Sequence, residues 1–241
     1  MRNTFFVSVM LSVAAFAVWA QAPATKPATG ATPVHHAASG PPTAIIETTA
    51  GKLTCTLFPD KAPIGVANFI GLATGTKDWK NPVTGVTKHG VPLYDGTIFH
   101  RVIAGFMIQG GDPKGDGTGE IGINFQNEVS PDLLFDKPGR LAYANAGPGT
   151  NGSQFFIMED ALTGQHAAML NGHYTIFGQC DEASVALVKE IARMGRDSND
   201  KPYRPVQIKH ITISGPGAPK SATKPATATT KTAPAKTTKS N

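Results

Sequence analysis

The stretch with the clearest chemical potential is FHRVIAGFMIQGGD, residues 99–112, in which Arg101 and Gln109 interrupt a run of apolar side chains. Alternate side chains of an extended strand share a face, so Phe99, Arg101 and Ile103 are expected to lie together. A guanidinium on an apolar face is costly unless a partner or a ligand uses it. The stretch contains no serine or cysteine, and no acid before its last residue. A nucleophilic or acid–base mechanism is therefore not indicated.

The first 20 of the 241 residues have the pattern of a secretory signal peptide. A basic residue, Arg2, precedes an apolar run, and Val18-Trp19-Ala20 offers small residues at a cleavage site. The alternative is a membrane anchor, but the run of roughly 16 apolar-rich residues is short for a bilayer, which takes about 20. We predict cleavage after Ala20, a periplasmic or secreted location, and no stable membrane insertion after cleavage.

Two polar segments flank a single candidate domain. Residues 21–42 consist mainly of Ala, Pro, Thr and Gly, and residues 216–241 have the same character with added lysines. Neither segment can bury enough apolar surface to offset the entropy of ordering, so a disordered linker and a disordered tail are predicted. Residues 43–215 are long enough for one domain with its own core.

The formal charge of +5 comes from the flanking segments. All 17 acidic residues lie within residues 43–215, together with 15 of the 22 basic ones, so the domain carries a charge near −2. This balance does not support nucleic-acid binding. The lysines of residues 216–241 could tether the domain to an anionic surface, but a solvated tail is favoured.

Cys55 and Cys180 are the two cysteines of the chain, and no CxxC spacing occurs. Metal binding and thioredoxin-type chemistry are therefore not indicated. An oxidising compartment would permit a disulfide between them. Of the two alternatives, two unpaired thiols in the core are favoured.

Hydrophobic periodicity predicts about eight short strands and two helices that do not alternate with them. The predicted strands are two in 43–58 and one each near 97–103, 106–110, 140–145, 154–158, 174–180 and 206–214, and the predicted helices are 62–75 and 181–195. Loops are predicted at 76–96 and 111–122. The fold class is therefore mainly β, an eight-stranded antiparallel closed barrel capped by two α-helices.

Other patterns are weaker indications of function. Residues 147–152, GPGTNG, match GxGxxG, but a strand pattern follows them instead of the helix that a dinucleotide site needs. Asp112, Asp116 and Glu120 are four residues apart, which is not the spacing of a calcium loop, so a solvated turn is predicted. His100 is expected to face away from Arg101 as a hydrogen-bonded structural residue.

Three further segments complete a family pattern, namely LFPDKAPIGVANF at 57–69, LAYANAGPGTNGSQFFI at 141–157 and MLNGHYTIFG at 169–178. Together with the Arg101 stretch they resemble the cyclophilin family of peptidyl-prolyl cis-trans isomerases over about residues 45–214. The resemblance implies the barrel predicted above, proline-containing polypeptide substrates, and no metal or cofactor. We also expect a monomer.

The resemblance further implies which residues form the site. The expected catalytic residues are Arg101 and Gln109, and the expected substrate-binding residues are Phe106, Met107, Ala144, Asn145, Ala146, Gln154, Phe156, Met169, Leu170 and Tyr174. The apolar members would hold the proline ring. Gln109 and the backbone of Asn145 would hold the flanking peptide groups.

Two positions depart from the usual pattern of the family. Met169 stands where many relatives carry Trp, whose indole donates a hydrogen bond to cyclosporin, so weak cyclosporin inhibition is predicted. Tyr174 stands where the family often has His, so it is expected only to form a wall of the pocket. The alternative function is a proline-peptide-binding chaperone module with incidental isomerase activity, which would need the pocket but not Arg101.

Overall fold

The computed structural model describes residues 40–215. The predicted signal peptide, the linker up to residue 39 and the tail 216–241 lie outside the described residues. Ten strands and three helices occur in the described part. The strands are β1 Thr43–Thr48, β2 Lys52–Leu57, β3 Trp79–Lys80, β4 Thr87–Lys88, β5 Arg101–Ile103, β6 Met107–Gly110, β7 Arg140–Tyr143, β8 Phe155–Met158, β9 Ile176–Cys180 and β10 Ile208–Ser214. The helices are α1 Pro63–Thr74, α2 Gly164–Leu170 and α3 Glu182–Ala192.

Eight strands form one sheet in the order β10-β1-β2-β9-β7-β8-β6-β5, and every neighbouring pair is antiparallel. The predicted eight-stranded antiparallel sheet is therefore confirmed. The remaining two strands, β3 and β4, pair as a separate hairpin within the predicted loop 76–96.

The predicted closure into a complete barrel is not confirmed. Within residues 40–215 no ladder joins the terminal strands β5 and β10. The sheet curls, and Ile98, just before β5, forms an isolated bridge with Gln207, just before β10. The edge of β5 that pairs with no other strand contacts a loop, since the N–H of Val102 donates to the carbonyl of Asp200 at 2.9 Å.

The signals that predicted α1 and α3 correspond to their observed ends. Pro63 lies in the first turn of α1, and Gly75 ends the helix with a φ of 73°, a left-handed conformation that favours glycine. The Asp181 side chain caps α3 by accepting from the N–H of Ser184. The helix ends at Ala192, three residues before the glycine expected to stop it.

Helix α2 was not predicted, so the expected count of two helices is wrong. None of its residues, Gly164–Leu170, is buried. It therefore lacks the apolar stripe from which a surface helix is recognised in a sequence. None of the helices in the described range is long and apolar enough to cross a membrane.

The preference for unpaired thiols is also wrong, because Cys55 and Cys180 form a disulfide. The two residues lie directly opposite each other on β2 and β9. This register brings together residues that are 125 positions apart in the sequence. Local periodicity carries no information about such a pairing, whereas the sheet order determines it.

Alternate residues of the central strands supply two apolar clusters. The larger cluster contains Ile108 and Ile157 together with the interlocking aromatic side chains Phe69, Tyr94, Phe99, Phe155 and Phe177. The smaller cluster contains Met107, Phe135, Ala142, Phe156, Met158 and Ile176. Because successive side chains of a strand point to opposite faces, one sheet separates the two clusters. The smaller cluster supports the candidate site.

Candidate functional site

A row of four residues crosses the sheet at the candidate site. Arg101 on β5 lies opposite Gln109 on β6, and Gln109 lies opposite Phe156 on β8. Phe156 in turn lies opposite Ala142 on β7. Paired residues in a ladder project to the same face, so the register alone brings a guanidinium, an amide and an aromatic ring side by side.

This row borders a cavity of about 790 Å³. Nine of the twelve predicted site residues line it, namely Arg101, Phe106, Met107, Gln109, Ala144, Asn145, Phe156, Leu170 and Tyr174. Phe156 packs with its ring edge-to-face against Tyr174, with centroids 5.7 Å apart, and stacks on Phe135 on another side. The apolar part of the cavity is therefore held by the smaller cluster rather than by mobile surface side chains.

The other three predicted residues lie outside this cavity. Ala146 and Gln154 line an adjoining groove that shares Gln109 and Asn145 with it. Met169 is 59% exposed and borders two other depressions around α2. The structure therefore places Met169 on the rim of the site and not in its floor.

Arg101 contacts neighbours through two different nitrogen atoms. Its Nη1 donates to Oε1 of Gln109 at 3.4 Å, and its Nε lies 3.7 Å from a carboxylate oxygen of Asp200. Gln109 then donates to Oε1 of Gln154 at 3.0 Å, and Gln154 donates to the carbonyl of Gly117 at 3.0 Å. The cost of a guanidinium beside apolar side chains is thus offset by an ion pair and by an ordered amide chain.

The side chain of Asn145 is engaged in hydrogen bonds to main-chain groups of two segments. Its Oδ1 accepts from the N–H of Gly147 at 3.1 Å, and its Nδ2 donates to the carbonyl of His173 at 3.2 Å. No hydrogen bond within residues 40–215 engages the main-chain N–H or C=O of Asn145. Asn145 lines the cavity, and its main-chain groups are left without a hydrogen-bond partner among the described residues.

The cavity also has a polar end that the sequence argument missed. It is formed by His100, Asp116, Gly117, Asp197, Asn199 and Lys201. Apart from His100, these residues come from two loops, where neither alternation nor a motif indicates which side chains point inward. In the sequence, the Asp, Asn and Gly residues of these loops predicted turns and no binding site.

The prediction for His100 is wrong. It borders the same cavity as Arg101, because the regular strand begins only at Arg101 and the alternation does not extend backwards. For the same reason Phe99 belongs to the larger cluster and does not share a face with Arg101. Neither ring nitrogen of His100 has a hydrogen-bond partner within the described chain, and burial lowers its pKa below 6.5.

The glycine-rich loop at 111–122 is organised by a buried acid. Asp112 is fully buried, and its carboxylate accepts from the main-chain N–H groups of Lys114, Asp116, Gly117 and Gly119. The solvated turn predicted for this loop is therefore wrong for Asp112, because four backbone donors replace its water.

Asp116 of the same loop is exposed at the cavity rim, as a solvated turn requires. The hydroxyl and the N–H of Thr118 donate to its carboxylate and lower the pKa of Asp116 from 3.8 to about 2. This carboxylate therefore stays ionised at the edge of the site at any ordinary pH.

Comparison with known proteins shows the family of the chain. Residues 43–213 match the family described as cyclophilin type peptidyl-prolyl cis-trans isomerase/CLD. A peptidyl-prolyl cis-trans isomerase A of Mycobacterium tuberculosis is 51% identical over 173 residues, which cover 71% of this chain and 92% of the relative. A peptidyl-prolyl cis-trans isomerase B of Streptomyces anulatus is 48% identical over 172 residues, which cover 70% of this chain and 95% of the relative.

A solved structure has a similar fold. The crystal structure of a cyclophilin type peptidyl-prolyl cis-trans isomerase from Cryptosporidium parvum superposes with a TM-score of 0.60 at 35% identity. The match covers 72% of this chain and 97% of that one. The chain thus belongs to the cyclophilin family and is a cyclophilin-type peptidyl-prolyl cis-trans isomerase.

Proposed function

We propose that Arg101 accelerates rotation about Xaa–Pro bonds by donating a hydrogen bond to the prolyl nitrogen while the proline ring lies in the apolar part of the cavity. One observation carries the proposal. The guanidinium of Arg101 borders the same cavity as Phe106, Met107 and Phe156, and it is fixed there through Nε and Nη1. No contact within the described residues uses its Nη2.

The chemistry of the bond explains why such a donor accelerates the rotation. Rotation breaks amide resonance against a barrier of about 20 kcal/mol. In the twisted transition state the prolyl nitrogen becomes pyramidal and gains lone-pair character. A hydrogen bond to that nitrogen is weak in the planar ground state and strong in the transition state, and only such differential binding accelerates a reaction. No covalent bond is made or broken, so Arg101 needs no nucleophile, acid or base beside it.

The magnitude of one hydrogen bond limits what Arg101 contributes. A charge-assisted hydrogen bond contributes about 1.5–3 kcal/mol, which corresponds to roughly a 10- to 150-fold acceleration. A millionfold acceleration would require about 8 kcal/mol. Arg101 therefore supplies part of the acceleration, and substrate orientation and desolvation supply the rest.

Orientation comes from two kinds of contact. The rings and thioether of Phe106, Met107 and Phe156 hold the proline ring, while Gln109 and the main chain of Asn145 hold the adjoining peptide groups. With the ring fixed, the carbonyl on the N-terminal side of the proline is the group that swings. Loss of water from the apolar cavity also weakens amide resonance, because the planar amide is the more polar form.

Proline-containing polypeptides are the proposed substrates. A Cryptosporidium parvum cyclophilin structure with a TM-score of 0.58 and 35% identity was determined in the presence of the dipeptide Ala-Pro. The adjoining groove, which shares Gln109 and Asn145 with the cavity, offers room for the chain that flanks the proline. Uncatalysed isomerisation takes tens of seconds or longer and limits the folding of many chains.

Refolding of a client limited by one Xaa–Pro bond tests this function. We expect the purified protein to accelerate the slow refolding phase and Arg101→Ala to accelerate it roughly 10- to 150-fold less. Arg204→Ala is the matched control, because Arg204 is exposed and does not line the cavity. Equal acceleration by Arg101→Ala would contradict the proposal and favour the peptide-binding chaperone alternative.

We also propose that the protein is exported and acts on chains that fold after translocation. The support is the order of residues 1–20, a basic start followed by an apolar run and small residues. N-terminal sequencing of the protein recovered from cells should then begin at Gln21. A first residue of Met1 would contradict both the cleavage and the location.

A further inference from the structure

The backbone conformation of Asp200 is exceptional. Its φ is 63°, and it is the one residue other than glycine in the described chain with a positive φ. Most side chains are sterically unfavourable in the left-handed region; glycine avoids the penalty, and Asp and Asn tolerate it better than other residues. Such outliers persist where the surrounding structure enforces them, and they concentrate at functional sites.

The hairpin around Asp200 explains how this conformation is enforced. The N–H of Asp200 donates to the carbonyl of Asp197 at 3.1 Å, and the N–H of Asp197 donates to the carbonyl of Lys201 at 2.9 Å. Arg196 and Pro202 then form a bridge. This is the three-residue hairpin in which the last loop residue is left-handed, a position that glycine usually occupies. The chain has an aspartate there instead.

The Asp200 carboxylate bridges two arginines. One oxygen lies 3.7 Å from Nε of Arg101, and the other lies 3.1 Å from Nε of Arg196. The carbonyl of the same residue accepts from the N–H of Val102, the neighbour of Arg101 on β5. The left-handed residue is therefore attached to β5 by its backbone and to the Arg101 guanidinium by its side chain.

From these contacts we infer that Asp200 is a positioning residue for Arg101 in isomerisation. The inference rests on the proposed role of Arg101. Gln109 contacts Nη1 and Asp200 contacts Nε, so two fixed points set both the place and the plane of the guanidinium. Without Asp200 only the 3.4 Å contact with Gln109 remains, and the guanidinium can rotate away from the prolyl nitrogen.

Two substitutions separate the carboxylate from the backbone conformation. Asp200→Asn removes the charge and keeps a side chain that tolerates the left-handed region. Asp200→Gly removes the side chain and the steric penalty together. Asp78→Asn is the control, because it also removes the carboxylate of an ion pair, here an exposed one that pairs with His89 outside the cavity.

The experiment measures kcat and KM for a short Xaa-Pro peptide and the melting temperature of each variant. We expect kcat to fall about two- to fivefold in both Asp200 variants, within the range of a partly exposed ion pair, with KM nearly unchanged. The melting temperatures should stay within about 2 °C of the wild type or rise in Asp200→Gly. Asp78→Asn should match the wild type in all three quantities.

A double variant tests whether Asp200 acts through Arg101. In an Arg101→Ala background, Asp200→Asn should cause no further loss, because groups that act as one unit are not additive. Wild-type kcat in either Asp200 variant, or an equal fractional loss in the Arg101→Ala background, would overturn the inference. If Arg101→Ala itself kept wild-type activity, the proposed function would fail, and this outcome is distinct from the failure of the inference alone.

Discussion

The buried carboxylate of Glu159 gives a prediction about how the cavity wall is held. Glu159 is fully buried and accepts from the N–H of Gly105 at 2.6 Å, and Arg193 is its ion-pair partner. Its own N–H donates to the carbonyl of Phe106 at 2.8 Å. One residue therefore fastens the β5–β6 turn from which Phe106 enters the cavity.

Replacing Arg193 by alanine should destabilise the fold through the charge that it leaves behind. Removing one partner of a buried ion pair costs about 3–5 kcal/mol, because the remaining charge loses its compensation inside the protein. The Arg193 side chain is 54% exposed, so water offsets part of this loss. We therefore expect the free energy of unfolding to fall by about 2–4 kcal/mol, somewhat less than for a fully buried pair.

Urea denaturation of matched variants measures this quantity. Lys61→Ala is the control, because Lys61 forms an ion pair with Asp132 in which both side chains are exposed, and such pairs contribute about 0.2–1 kcal/mol. Glu159→Gln in the Arg193→Ala background should recover stability, since it removes the buried charge and keeps an acceptor for Gly105. A loss below 1 kcal/mol for Arg193→Ala, equal to that of Lys61→Ala, would refute the reasoning.

Three further predictions follow from the described residues. Reduction of the Cys55–Cys180 disulfide should lower the free energy of unfolding by about 2–5 kcal/mol, while a Cys55→Ala/Cys180→Ala variant should not respond to reductant in the same urea titration. Burial lowers the pKa of His100, so the unfolded chain binds the proton more readily and the free energy of unfolding should fall as the pH drops through 6.5. His100→Gln should lose this part of the pH dependence between pH 7 and 5, and an unchanged slope would contradict it. Cyclosporin should inhibit weakly, and Met169→Trp should strengthen inhibition up to about tenfold by adding an indole donor; tight inhibition of the wild type would contradict this.

The sequence predicted the regular elements where local chemistry determines them. Pro63 and Gly75 bound α1, and the Asp181 cap starts α3, because these residues act on their own backbone neighbours. Helix α2 escaped prediction because it buries no residue and leaves no apolar period. Strand β5 is shorter than its apolar run, which is why the alternation failed at Phe99.

Features that depend on long-range contacts could not be predicted from local patterns. The disulfide depends on the β2–β9 register, and the burial of Asp112 depends on four main-chain donors that converge on it. The cavity floor was predicted through family resemblance, whereas its polar end was not. Asp200 was missed because a left-handed aspartate has no signature in a sequence, although it contacts the proposed catalytic group.

The central claim is that Arg101 acts on the twisted bond and does not merely help to bind the peptide. Its most direct test is the cis–trans exchange rate of a short Xaa-Pro peptide, measured by NMR with saturating amounts of the wild type and of Arg101→Ala. We predict fast exchange with the wild type, and a rate roughly 10- to 150-fold lower with the variant at similar peptide affinity. Equal exchange rates for the peptide bound to the wild type and to Arg101→Ala would contradict this claim.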